Sequence, residues 1–128
     1  MNNTLEYLQK EIKENMSVKD IVDIFEQACQ PMGEEDMILF ETGTYDFTGE
    51  ELFYFSLVKQ FPMEDDDEFY QIHVDILYKP CDENKSFHKT VWDEDLDEDI
   101  FDYIRKTDDY HYAENAEYIR AEIYMEET

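Results

Sequence analysis

Apolar residues recur at helical spacing in the first third of the chain and alternate with polar ones in the middle. From Asn3 to about Glu14, Leu5, Leu8 and Ile12 share one side while charged residues fill the others, which predicts an amphipathic helix. Ser17-Val18-Lys19-Asp20 resembles a capping box with Asp in place of Glu, so a second helix starts there. Its apolar stripe is Val18, Ile21, Val22, Phe25 and Cys29, and Pro31 and Gly33 end it.

Four strand-like runs follow: Met37–Phe47, Leu52–Phe61, Phe69–Tyr78 and Ser86–Trp92. The third alternates most clearly, with Ile72, Val74, Ile76 and Tyr78 on one side and Gln71, His73 and Asp75 on the other. Gly43 inside the first run marks an expected bulge. Turn-like stretches at Thr48-Gly49-Glu50, Pro62–Glu68 and Pro80–Lys85 separate the runs, and connections this short favour an antiparallel meander.

The last third opens on the acidic run Asp93–Asp99. A short helix through Ile100, Phe101, Tyr103 and Ile104 is expected next, its first turn suitably rich in acids. Residues Ala113–Glu127 carry Ala116, Ile119 and Ile123 at helical spacing and are predicted helical. Ile119, Ala121, Ile123 and Met125 also alternate, so a strand on the sheet edge is the alternative. The whole reads as one α+β domain spanning residues 1–128. N-terminal helices fill 1–33, a four-stranded antiparallel meander sheet fills 37–92, and the acidic run and C-terminal helices fill 93–128, with the helices covering one face of the sheet.

Charge alters this picture. Ten Lys and Arg stand against 35 Asp and Glu among 128 residues, a formal net charge of −25. Direct binding to nucleic acid is excluded, because an anionic chain cannot gain affinity by releasing counterions from a phosphate backbone. No apolar run approaches the roughly 18 residues of a membrane span, and the first ten residues lack the basic-then-apolar pattern of a signal peptide. A cytoplasmic location is therefore expected. With 42% hydrophobic and 16% aromatic residues, the chain has the material for a core that disordered acidic chains lack. Cys29 and Cys81 are too few for a disulfide framework and read as two reduced thiols, with a single bridge between them the alternative.

Candidate chemistry is sparse. Asp93-x-Asp95-x-Asp97 has the opening spacing of a calcium loop, but Glu98 and Ile104 stand where such a loop needs Gly and Glu. Pairing across a turn at Pro80–Lys85 would set His73 opposite Trp92 and His88 opposite Leu77, with Asp75 between the two histidines. The plainer reading of that group is an ordinary polar sheet face. No nucleophile elbow or phosphate-cradling glycine loop is present. No catalytic, metal or cofactor residue is assigned, and no enzyme activity is expected.

The acids themselves are the candidate functional feature. Solubility needs a net charge of magnitude roughly 2–8, and the surplus here destabilises a compact fold through self-repulsion. The expected use is an acidic, non-enzymatic surface that holds a basic protein. The residues assigned to it are Glu64, Asp65, Asp66, Asp67 and Glu68; Asp93, Glu94, Asp95, Asp97, Glu98 and Asp99; and Asp108 and Asp109. Tyr103 and Tyr110 are added as apolar anchors, with Tyr112, Tyr118 and Tyr124 as further aromatic candidates. In charge density, size and aromatic content the chain resembles the DNA-mimic inhibitors of phages and mobile elements, and acidic immunity proteins that cap nuclease toxins. That resemblance implies a partner that normally handles nucleic acid. It rests on composition and carries no functional residue across. The other reading is a soluble cytosolic domain whose acidity serves only solubility.

Overall fold

The structure, a computed structural model, describes residues 4–13, 16–29, 37–47, 49–62, 69–79 and 88–127. Helix α1 (Thr4–Glu11) leads to α2 (Val18–Cys29), whose first turn is closed by Ser17 Oγ accepting from the Asp20 amide at 3.1 Å. The predicted stripe of α2 is the one that is buried, from Val18 through Cys29.

Strands β1 (Met37–Phe47) and β2 (Glu50–Pro62) pair as an antiparallel hairpin, and Gly49, just before β2, takes a left-handed φ of 87° that favours glycine. Strand β3 (Phe69–Lys79) pairs with β2, and β4 is the short Lys89–Trp92. After a 3₁₀ turn at Asp93–Asp95 come α3 (Ile100–Lys106) and α4 (Asp108–Asn115). One residue separates these two helices. Thr107 Oγ1 donates to the Ile104 carbonyl at 2.6 Å, closing α3, and accepts from the Tyr110 amide at 3.1 Å, opening α4.

Two expectations about the sheet are corrected. First, the chain ends in a strand: β5 (Glu117–Glu127) runs antiparallel to β3, so the sheet has five strands in the order β4-β1-β2-β3-β5. Helix propensity lost to burial, because as a strand β5 places Ala121 and Ile123 against the core opposite Ile76 and Val74. A register shift beside Leu77 and Tyr78 skips Ile119, which is left exposed, and lets Tyr118 meet Tyr78 edge-on at 6.0 Å. Second, β4 pairs with β1 and not with β3, so the order is not a simple meander.

Gly43 also differs from expectation. Registry runs through it without a bulge, directly opposite Tyr54, whose ring lies over the glycine; a Cβ there would stand 2.6 Å from Tyr54 Cε2.

The helices pack on one face of this α+β sheet. That face presents Ile38 and Phe40 from β1, Phe53, Phe55 and Leu57 from β2, and Ile72, Val74, Ile76 and Tyr78 from β3. Leu8, Ile21, Phe25, Phe101 and Ile104 close over them in one continuous core. Phe40 and Phe55 meet edge-on at 5.0 Å, and Phe25 meets Phe101 at 6.1 Å across α2 and α3. Arg105 bolts the same two helices together, with Nη2 2.8 Å from both Asp23 Oδ1 and Glu26 Oε1. No helix among the described residues is long and apolar enough to cross a membrane.

Candidate functional site

The run Asp93–Asp99 leaves the sheet at its β4 edge. Glu94, Asp95, Asp97, Glu98 and Asp99 are exposed, and Asp93 is half-buried. The run is not an extended strand. Asp93–Asp95 forms a 3₁₀ turn, with a rise near 2 Å per residue, so its carboxylates crowd more closely than those of a strand would. Asp99 caps α3 by accepting from the Phe101 amide at 3.0 Å. Glu98 pairs with Lys106, and Asp102 adds another exposed acid one turn on.

The remaining assigned residues divide. Asp108 is exposed in the first turn of α4. Asp109 has 0% exposure, accepts from Thr42 Oγ1 at 2.6 Å and lies 3.7 Å from Lys89 Nζ. It ties α4 to β1 and β4 from inside and cannot touch a partner. Tyr110 is 5% exposed and belongs to the core, so it is also withdrawn as an anchor. Tyr103, Tyr112 and Tyr118 pack against the core rather than standing free, Tyr112 edge-on to Phe53 at 5.2 Å. Glu64–Glu68 and Cys81 lie outside the described residues, and Cys29 is a buried free thiol.

Histidine pairing across β3 and β4 is overturned by the strand order. His73 stands opposite Val58 on one side and Tyr124 on the other, while Trp92 stands opposite Leu39. His88 precedes β4, three strand positions away and so about 14 Å across the sheet from β3. Among the described residues, no group of three or more His, Cys, Asp or Glu converges on a point where a metal ion would sit.

The sheet face away from the helices carries an arrangement that sequence reasoning missed. Cross-strand registry there lines up Thr90, Glu41, Ser56, Asp75 and Glu122 in one row running from β4 to β5. A hollow of about 370 Å³ opens over the row, walled by Tyr54, His73, Leu77 and Tyr124. Asp75 is its fixed point: Oδ1 accepts from Ser56 Oγ at 2.5 Å and Oδ2 from Tyr124 OH at 2.7 Å. Burial pushes the Tyr124 phenol well above its ordinary pKa, and the bond to Asp75 pushes it further. Tyr54 is raised by burial, then by Glu41 and Asp75.

The His73 ring stacks on Tyr124 at 4.7 Å, tilted by 3°. Its Nε2 lies 3.1 Å from Gln71 Oε1, and Gln71 in turn donates to Gln60 at 2.9 Å. Glu126 Oε2 also lies 3.4 Å from Nε2, while Ser56 Oγ donates to Asp75 instead. Ser56, Asp75 and His73 therefore do not form a relay of nucleophile, imidazole and carboxylate. What the hollow offers is negative charge, hydroxyl groups and ring faces, the surroundings that suit a cation.

Comparison with protein-family models, with curated proteins and with solved structures found no match.

Proposed function

We propose that this chain is a non-enzymatic acidic binding protein that blocks a basic, nucleic-acid-handling protein by presenting carboxylates where phosphates would otherwise lie. One observation carries the reading. Between Asp93 and Asp102 stand seven acids, and among the described residues only Glu98 has an ion pair.

Five of the described bases are engaged elsewhere. Lys19 pairs with Asp23, Arg105 with Asp23 and Glu26, Lys89 with Asp109, and Arg120 with Glu122. Lys59 is buried, donating to the Cys29 carbonyl at 3.1 Å. Among the described residues six of the seven acids have no ion pair, and their field reaches solvent, where it steers a cationic partner into contact and falls with salt. Solubility alone would be met by far less charge. A nuclease toxin is one partner of this kind, and against it the protein would act as an immunity factor.

Affinity capture from a bacterial lysate at low and high salt, followed by DNA competition, tests this. The expected result is retention of basic proteins at low salt, their release by added duplex DNA, and loss of their nucleic-acid binding while the complex persists. Retention of no basic protein at low salt, or captured proteins that bind DNA and this chain simultaneously, overturns it.

A further inference from the structure

The geometry points to the helix-free face of the sheet, over the Glu41–Asp75–Glu122 row, as the place where an arginine side chain of a basic partner protein docks. This assignment rests on the charge-mimic reading above and gives it a location separate from the Asp93–Asp102 segment.

Shape comes first. Among the described residues the helices cover the opposite face, and the hollow of about 370 Å³ lies within the size range of pockets that hold small ligand groups. Its rigidity follows from the sheet beneath it. Val58 and Leu77 are buried on this same face, and Asp75 is pinned between Ser56 and Tyr124.

Charge selects the occupant. Among the described residues the lining contains three carboxylates and no lysine or arginine. Asp75 and Glu122 are direct cross-strand neighbours, and Glu41 lies two strands from Asp75, so the three spread over about 14 Å of sheet. That spread does not chelate a small metal ion, but it suits a broad cation that reaches two carboxylates at once. The chain's own Arg120 already makes a guanidinium–carboxylate contact at the rim, with Nη2 2.9 Å from Glu122 Oε1.

Ring faces then discriminate between cations. A guanidinium is planar, weakly hydrated and forked, so it can lie against Tyr54 or Tyr124 while it donates to a carboxylate. An ammonium is compact and strongly hydrated and gains less from either.

The test uses the full-length protein with short poly-arginine and poly-lysine peptides at low salt, read by titration calorimetry and by backbone-amide NMR. Shift changes should centre on Glu41, Ser56, Asp75 and Glu122, with poly-arginine binding more tightly. The paired variant Glu41→Gln/Glu122→Gln should bind poly-arginine about tenfold more weakly, whereas Glu6→Gln/Asp20→Asn, two exposed acids on the helices, should leave the shifts on the sheet unchanged. Equal affinity for the two peptides, or undiminished binding by the paired variant, overturns the assignment. Shift changes confined to Asp93–Asp102 overturn it too, yet leave the charge-mimic reading standing. Absence of binding to either peptide overturns both. Mapping on the wild-type protein keeps the test valid if the paired variant proves unstable.

Discussion

Replacing Gly43 with alanine tests the packing that shapes the hollow. The φ of Gly43 is not in the left-handed region, so alanine fits the backbone. By itself, removing a glycine's unfolded-state freedom would stabilise the protein by about 0.4–1 kcal/mol. The new methyl, however, would stand 2.6, 2.7 and 2.8 Å from Cε2, OH and Cζ of Tyr54. Contacts that short force the ring aside, and overpacking of this kind costs about 1–3 kcal/mol. Tyr54 is half-buried rather than enclosed, so its ring has room to swing and the cost lies in the lower part of that range. The net expectation is a loss of about 1 kcal/mol, or roughly 3–5 °C in Tm for a chain of this size. Thermal unfolding of Gly43→Ala, Tyr54→Ala and the double variant checks the cause as well as the size. In the Tyr54→Ala background the same alanine should become neutral or stabilising, because the clash has gone. A Gly43→Ala protein more stable than wild type, or an equal cost in both backgrounds, refutes the reasoning.

Other consequences concern charge and burial. Thermal stability should rise between low salt and about 0.5 M NaCl as self-repulsion is screened; a flat or falling midpoint means that the acids already balance one another. Arg105→Gln should cost about 1 kcal/mol in urea unfolding, since it removes the link between α2 and α3 and leaves Asp23 and Glu26 facing each other. Burial pulls the Asp23 pKa up, but hydrogen bonds from Arg105 and Lys19 outweigh it and hold the carboxyl below its ordinary value. The stability this provides is present above the unfolded-state pKa near 3.9 and is lost as pH falls through the lower folded value. Wild type should therefore lose stability more steeply than Arg105→Gln below about pH 4, and parallel pH profiles would remove Asp23 from the account. Burial pushes the Cys29 thiol up to about 12, only partly offset by Lys59. In a Cys81→Ser background Cys29 should accordingly resist alkylation until the protein unfolds, and rapid labelling of the native state would contradict its burial.

Local pattern made much of the fold legible. The stripe of α2, the Ser17 cap and the alternation of β3 are all visible in sequence because each depends on residues a few positions apart. Strand β5 was ambiguous for a physical reason. Ala121, Glu122 and Met125 favour a helix, and only the free edge of β3, far off in sequence, makes the extended form the better one. Pairing of β4 with β1 is likewise a long-range choice that no local spacing encodes.

The site follows the same division. His73 and Asp75 were legible as a polar face. Their true neighbours, Tyr124 for both and Ser56 for Asp75, come from registry with strands distant in sequence. Among the acids, sequence separates Asp108 from Asp109 not at all. One faces solvent and the other is sealed beneath Thr42 because α4 turns its second residue inward.

The most direct measurement is the affinity for a captured basic target as a function of salt, for wild type and for a variant with Asp95, Asp97, Glu98 and Asp102 changed to their amides. The account predicts that wild-type binding weakens steeply as salt rises, and that the variant binds more weakly and with a shallower dependence. Equal affinities with the same slope would show that these carboxylates do not make the contact, contradicting the account at its centre.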